Sequence, residues 1–196
     1  MQANLIVSNP VLKNMDPSEE RVVYTIGHST HDIATLISML QSFGIRTLVD
    51  IRRFPGSRKF PDFNRERLDE ELQKAGIQYV HIEGLGGRRQ AQKNSRNGRW
   101  RNSSFRGYAD YMETDEFTEA IEELESLASR QPTVYMCAEA VWWRCHRALV
   151  SDYLKAKGWS VQHITAGGKA AEHPYTSPAR VVGEKVFYSD ETLYDK

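Results

Sequence analysis

The hydrophobic and polar positions of this chain follow two alternating periods. Short apolar or β-branched runs, typical of buried strands, occupy residues 22–26, 46–51, 77–82, 133–137 and 160–164. Between these runs, apolar residues recur every three or four positions, which predicts helices over 32–44, 64–76, 108–130 and 142–158. Strands that alternate with helices predict an α/β fold, a single domain with a mainly parallel sheet flanked by helices in a Rossmann-like three-layer architecture.

The two ends of the chain lack this periodicity. Residues 1–20 scatter proline, asparagine and charge, so we expect a flexible N-terminal arm before a single α/β domain over 21–196. The segment 167–180 is interpreted as a loop, and 185–188 ("KVFY") as a short strand. No apolar run approaches the roughly 20 residues of a membrane span, and the start of the chain lacks the pattern of a secretory signal. With two cysteines in all, the chain is expected to be cytoplasmic, with free thiols and no membrane partner.

The charge is balanced overall but concentrated locally. The formal net charge is +0, yet residues 44–107 contain fifteen Lys or Arg and seven Asp or Glu. Within them, 86–107 has seven basic residues and no acidic one, interleaved with aromatic residues. This basic loop, 84–107, is either a solvated surface loop or a contact for an anionic small molecule or a nucleic acid, and we favour the second. Arg88 and Arg106 within it are candidate substrate-binding residues.

Polar and titratable residues follow the predicted strands directly. In an open parallel sheet, ligands bind beyond the carboxyl ends of the strands. His28 follows the first strand, while Arg52 and Arg53 follow the second and lead to Ser57 and Arg58. Exposed arginines are often only solvated, but the planar guanidinium suits phosphate or carboxylate, and several of them here share one loop. The pattern therefore predicts an anion site.

The segment "CAEAVWWRCHR" gathers reactive side chains after the fourth strand: Cys137, Glu139, Cys145, His146 and Arg147. The predicted helix 142–158 places Cys145 in its first turn, where the helix N-terminus and neighbouring arginines would favour a nucleophilic thiolate. The alternative is a packed thiol, because free cysteine commonly behaves as a small buried hydrophobe. Histidine and glutamate suit acid–base roles.

Metal and nucleotide cofactors are not expected. Cys137, Cys145 and His146 could ligate zinc, but their spacing is not that of a zinc finger, and Arg144 and Arg147 would oppose a cation. The Gly-x-Gly-x-x-Gly fingerprint is absent after the first strand, which argues against a dinucleotide.

Several motifs in order resemble the bacterial family catalogued as domain of unknown function 488: "YTIGHST", "LVDIRRFPGSRKFPDFN", "LGGRR", "FRGYADYM" and "CAEAVWWRCHRALV". The resemblance runs from about Tyr24 to Ile164 and implies a compact α/β domain. It also implies that the family's Cys-x-Glu and Cys-His-Arg pattern falls on the five residues of the segment after the fourth strand. Glu83 stands where family members often have proline, which would add a charge near the site.

These observations predict an enzyme, a hydrolase or transferase, that acts on a phosphate-bearing substrate, either a nucleotide or a nucleic acid. Arg52, Arg58 and Arg147 would bind the anion, and Cys145 or Cys137 would act as nucleophile or proton donor. The alternative is a non-catalytic nucleic-acid-binding module that uses the basic loop.

Overall fold

A computed structural model describes residues 20–165 and 167–190, so nearly all of the predicted N-terminal arm lies outside the described residues. Six strands form one mixed sheet in the order β3-β2-β4-β1-β5-β6. These strands are β1 (Val22–Gly27), β2 (Thr47–Asp50), β3 (Gln78–His81), β4 (Thr133–Cys137), β5 (Ser160–Thr165) and β6 (Lys169–Glu172). The first five pair in parallel and β6 joins β5 antiparallel, so the mainly parallel sheet is confirmed.

Helices cover both faces of the sheet. They are α1 (Ile33–Ser42), α2 (Arg65–Lys74), α3 (Ser103–Tyr111), α4 (Asp115–Ala128) and α5 (Arg147–Ala156). On one face, Leu36 and Leu68 of the first two helices pack with Leu48 of β2. On the other, Ile121 and Leu149 pack in a second core with residues of the remaining helices. The described residues therefore form the predicted α/β domain of three layers.

Capping residues explain where the helices begin. The Asp32 carboxylate accepts a hydrogen bond from the Thr35 amide. Thr114 caps α4, so the single helix predicted over 108–130 is divided into α3 and α4. The start of α3 differs from the prediction of residue 108. The Asn102 side-chain oxygen accepts hydrogen bonds from the amides of Ser104 and Phe105, so α3 begins at Ser103, inside the segment predicted as the basic loop. That loop therefore ends at residue 102.

The helix predicted over 142–158 divides into two parts. Trp142–Arg144 is a short 3-10 turn, Cys145 is extended with φ of −138°, and α5 begins only at Arg147. Cys145 therefore precedes the helix instead of lying in its first turn.

The C-terminal segment has more strand than expected. The hairpin of β7 (Arg180–Val182) and β8 (Lys185–Phe187) includes the short strand predicted at "KVFY". The prediction of a loop over 167–180 was wrong for β6, an edge strand whose four residues are all exposed and so lack the apolar alternation that indicates a strand. None of the described helices is both long enough and apolar enough to cross a membrane.

Candidate functional site

A cavity of about 760 Å³ opens at the carboxyl ends of the parallel strands. The strand register produces this convergence, because Gly27 at the end of β1 pairs with Cys137 at the end of β4. Nine of the candidate residues line the cavity: His28, Arg52, Arg53, Ser57, Arg88, Cys137, Glu139, Cys145 and His146. The cavity thus brings together candidates from loops that are distant in sequence.

Arg52 is held rigidly in the cavity wall. Its Nε and Nη2 atoms donate to the Asp50 carboxylate at 2.9 and 2.6 Å, and Nη2 also donates to the Phe63 carbonyl at 2.8 Å. Asp50 is 0% exposed and receives a further hydrogen bond from the Tyr79 hydroxyl. A bidentate pair of this kind fixes the guanidinium plane. Arg52 is therefore a preorganised cation.

His28 lies beside Arg52 as a neutral ring. Its Nδ1 donates to the Ser29 carbonyl, which leaves Nε2 as the acceptor facing Arg52 Nη1 at 3.4 Å. The ring stacks on Phe63 with centroids 4.1 Å apart. Burial, followed by the charge of Arg52, lowers the pKa of His28 to about 4, so the ring is uncharged near neutral pH.

Two thiols and an imidazole form the floor of the cavity, a group that we call the thiol–imidazole cluster (Cys137, Cys145 and His146). His146 Nε2 lies 3.1 Å from the Ile51 carbonyl oxygen, which can only accept, so Nε2 carries the proton. The Nδ1 lone pair then faces both sulfurs, at 3.9 Å from Cys137 Sγ and 3.6 Å from Cys145 Sγ. The three side chains belong to one site.

The two thiols are electrostatically different. Burial alone would raise the pKa of Cys145, but a hydrogen bond from Cys137, the charge of Arg147 and the Arg147 amide together lower it to about 7. The pKa of Cys137 is raised, first by its hydrogen bond to Cys145 and then by burial. Cys145 is therefore the more acidic thiol of the pair.

Glycines allow the chain to approach this cluster closely. A Cβ at Gly87 would lie 2.8 Å from His146 Nδ1, and one at Gly27 would lie 1.8 Å from the Glu139 carbonyl oxygen. Both positions require glycine because there is no space for a side chain. Neither glycine was among the candidate residues, although Gly27 is the last residue of β1 and Gly87 lies just after the 3-10 turn Glu83–Leu85 that follows β3.

Three predicted anion ligands lie outside the cavity lining: Arg58, Arg106 and Arg147. Arg147 is 2% exposed, and its guanidinium donates to the carbonyls of Glu139 and Ala140 and to the Thr25 hydroxyl. It thereby holds the loop after β4 against β1. Arg106 donates to the Trp100 carbonyl. Glu83 begins a 3-10 turn and does not line the cavity either.

The cavity contains cations and aromatic rings that the candidate list omitted. Lys59 and Arg144 join Arg52, Arg53 and Arg88, so five cations and one carboxylate, that of Glu139, line the cavity among the residues that the structure describes. Phe54 is 61% exposed at this edge, with the guanidinium carbons of Arg53 and Arg88 at 5.6 and 5.9 Å from its ring centroid. Phe54 and Lys59 belong to the segment that follows β2, and Arg144 ends the 3-10 turn directly before Cys145.

Much of the basic loop is held by contacts within the protein. The Asp110 carboxylate of α3 accepts from the Gln92 amide, the Ser95 hydroxyl and the Asn97 side chain. Two of the loop's arginines form ion pairs, Arg96 with Glu113 and Arg99 with Asp190. These contacts leave fewer of its cations free for a ligand.

The fold and the cavity define an α/β domain with a basic strand-end site floored by cysteine and histidine. The family model described as "Domain of unknown function DUF488" matches residues 32–154, more than half of the chain. The chain therefore belongs to that family, as its motifs indicated. No significant match was found among curated proteins or among solved structures.

Proposed function

We propose that the protein is a cytoplasmic enzyme that acts on a phosphate-bearing substrate in the strand-end cavity. The observation that carries the proposal is the combination of five cations with a single carboxylate around a thiol–imidazole floor. A cavity lined by one sign of charge concentrates ligands of the opposite sign. Reactive groups at its base then lie where the bound substrate can meet them.

The cavity offers separate surfaces for the parts of a nucleotide. Four cations are at least partly exposed, so their side chains can reach a phosphate in the cavity: Arg53, Lys59, Arg88 and Arg144. Arg52, in contrast, is held in place by its ion pair with Asp50. The Ser57 hydroxyl accepts from the Phe60 amide and keeps its own proton available to donate. Phe54 presents an exposed ring for a base to stack on. These features favour a nucleotide, free or at the end of a nucleic acid.

Glu139 is the candidate acid–base group. It is exposed to the cavity, and no hydrogen bond or ion pair of its carboxylate is found within residues 20–165 and 167–190. A free carboxylate among cations can accept a proton from a bound water or hydroxyl. We assign it that role.

The alternative, a non-catalytic nucleic-acid-binding module, uses the basic loop. The internal partners of Arg96, Arg99 and Arg106 weigh against this alternative, because each of these guanidinium groups already has acceptors within the protein. Among the basic residues of the loop, Arg88 lines the cavity, and it serves the enzyme proposal equally well.

Calorimetric binding of adenosine monophosphate and adenosine tests the proposal. The phosphate should increase affinity, and Arg88→Ala should weaken binding of the nucleotide about 10- to 150-fold, the range for loss of a charge-assisted hydrogen bond of about 1.5–3 kcal/mol. Lys93→Ala is the matched control, since it removes an exposed cation of the same loop outside the cavity.

Turnover is then measured over a panel of nucleotides and short oligonucleotides by mass spectrometry. Glu139→Gln should abolish turnover and preserve nucleotide binding. Equal affinity for adenosine and its monophosphate, or loss of binding in Lys93→Ala but not in Arg88→Ala, would contradict the proposal.

A further inference from the structure

The thiol–imidazole cluster has the geometry of a metal site. Tetrahedral zinc, with Zn–S of about 2.3 Å and Zn–N of about 2.0–2.1 Å, requires ligand sulfur and nitrogen atoms about 3.6 Å apart. The two sulfurs lie 3.6 and 3.9 Å from His146 Nδ1, and all three ligand atoms lie within 4.8 Å of one another. The side chains therefore need to move little to bind an ion at their centre.

The imidazole is already oriented for a metal. Histidine ligands usually donate their other ring N–H to a carbonyl or carboxylate, which fixes the tautomer and the direction of the free lone pair. His146 does this through Nε2 and the Ile51 carbonyl, 3.1 Å away. Gly87 leaves the space beside Nδ1 free of a side chain.

We propose that Cys137, Cys145 and His146 bind a zinc ion whose fourth coordination position faces the cavity. Two thiolates and one imidazole are ligands that zinc accepts, and an open fourth position is the arrangement of catalytic zinc sites. The spacing of these residues along the sequence argued against a metal. In the folded chain, however, the three ligand atoms lie at distances that suit tetrahedral zinc, which sequence spacing cannot show. Arg147 directs its guanidinium to carbonyl oxygens of the β4 loop, which partly neutralise the charge that would oppose the ion.

The inference deepens the proposed function, on which its chemical consequence rests. With zinc bound, the metal would lower the pKa of a water at the open position, and the Glu139 carboxylate would accept the proton of that water. The water oxygen would then form a bond to the electrophilic atom of the substrate while the bond to the leaving group breaks, and Glu139 would give its proton to the leaving group. The reaction class is hydrolysis, and the cysteines serve as ligands and not as nucleophiles.

Metal content tests the site without reference to activity. Protein purified without chelators, or reconstituted with zinc, should contain close to one zinc ion per chain by mass spectrometry, and cobalt should give the visible spectrum of a tetrahedral thiolate site. Cys137→Ser, Cys145→Ser and His146→Ala should each weaken metal binding by more than about 100-fold, since loss of an outer-shell partner alone costs about 10- to 100-fold. His31→Ala, a histidine outside the cavity, is the control and should retain the metal.

Metal binding by the wild-type protein tests the proposed zinc site even if a variant fails to fold. No zinc or cobalt bound by folded wild-type protein, or metal retained by the folded ligand variants, would overturn the site. Arg88→Ala should keep the metal while losing nucleotide affinity. A protein that binds zinc but no nucleotide would therefore refute the proposed function and leave the metal site standing.

Discussion

Replacing Arg52 with methionine should expose how strongly the cavity wall depends on one buried ion pair. The side-chain exposures of Arg52 and Asp50 are 7% and 0%, and the shortest distance between them is 2.6 Å. Without the guanidinium, the Asp50 carboxylate keeps only the backbone amide of residue 52 and the Tyr79 hydroxyl. Breaking a buried pair by removing one partner costs about 3–5 kcal/mol, a large part of the roughly 5–15 kcal/mol stability of a domain.

A double variant that also removes the Asp50 charge should be more stable than Arg52→Met alone. Asp50→Asn added to Arg52→Met removes the uncompensated charge, so the free energy of unfolding should recover to within about 2 kcal/mol of wild type. Arg53→Met is the matched control: its guanidinium is partly exposed and should cost less than about 1 kcal/mol.

Urea unfolding of the four proteins at neutral pH, followed by circular dichroism, gives these free energies. A loss below about 1 kcal/mol for Arg52→Met would show that the pair contributes little. A double variant no more stable than the single one would show that the penalty does not come from the stranded Asp50 charge.

Three further changes probe other parts of the account. Gly87→Ala should displace the His146 ring and weaken metal binding more than about 10-fold, measured by competition with a chromophoric chelator; unchanged affinity would place the metal elsewhere. Burial, aided by His173 and Arg147, lowers the pKa of His163 from 6.5 to about 2, so this ring stays neutral in the fold but charges in the unfolded chain. The free energy of unfolding should therefore fall below about pH 6.5 by up to about 1.4 kcal/mol per pH unit, and urea unfolding of His163→Gln should show a shallower fall; equal slopes would rule out this cause. The amides of residues 92–97 should be protected from hydrogen exchange in the wild-type protein and lose this protection in Asp110→Ala, because the Asp110 carboxylate anchors the loop. Absence of protection in the wild type would contradict these anchoring contacts.

The strands and most helix ends were predictable because local rules determine them. The β4 segment 133–137 is buried throughout, and its apolar run indicated its bounds correctly. Asp32 and Thr114 cap their helices through their own side chains, a signal that sequence alone provides. The β6 strand was not predictable in this way, because its pairing with β5 depends on tertiary contact while its residues are exposed.

The gathering of candidate residues at the strand ends was predictable, but the geometry of their contacts within the cavity was not. The strand-end rule identified the loops that meet at the cavity, including those of Arg52 and Cys137. It could not show that Arg147 turns inward, because that orientation depends on carbonyl acceptors in the β4 loop and on the absence of a side chain at Gly27. The position of Cys145 was misjudged because the 3-10 turn before it continues the helical pattern.

If the protein acts on a phosphate-bearing substrate, the substrate should bind in the strand-end cavity above the thiol–imidazole cluster. A crystal structure of the protein with adenosine monophosphate would show where the phosphate binds. The phosphate should lie within about 3 Å of two or more of the five cavity cations, Arg52, Arg53, Lys59, Arg88 and Arg144. A nucleotide bound only along the outer surface of the basic loop, with the cavity free of phosphate, would contradict this prediction.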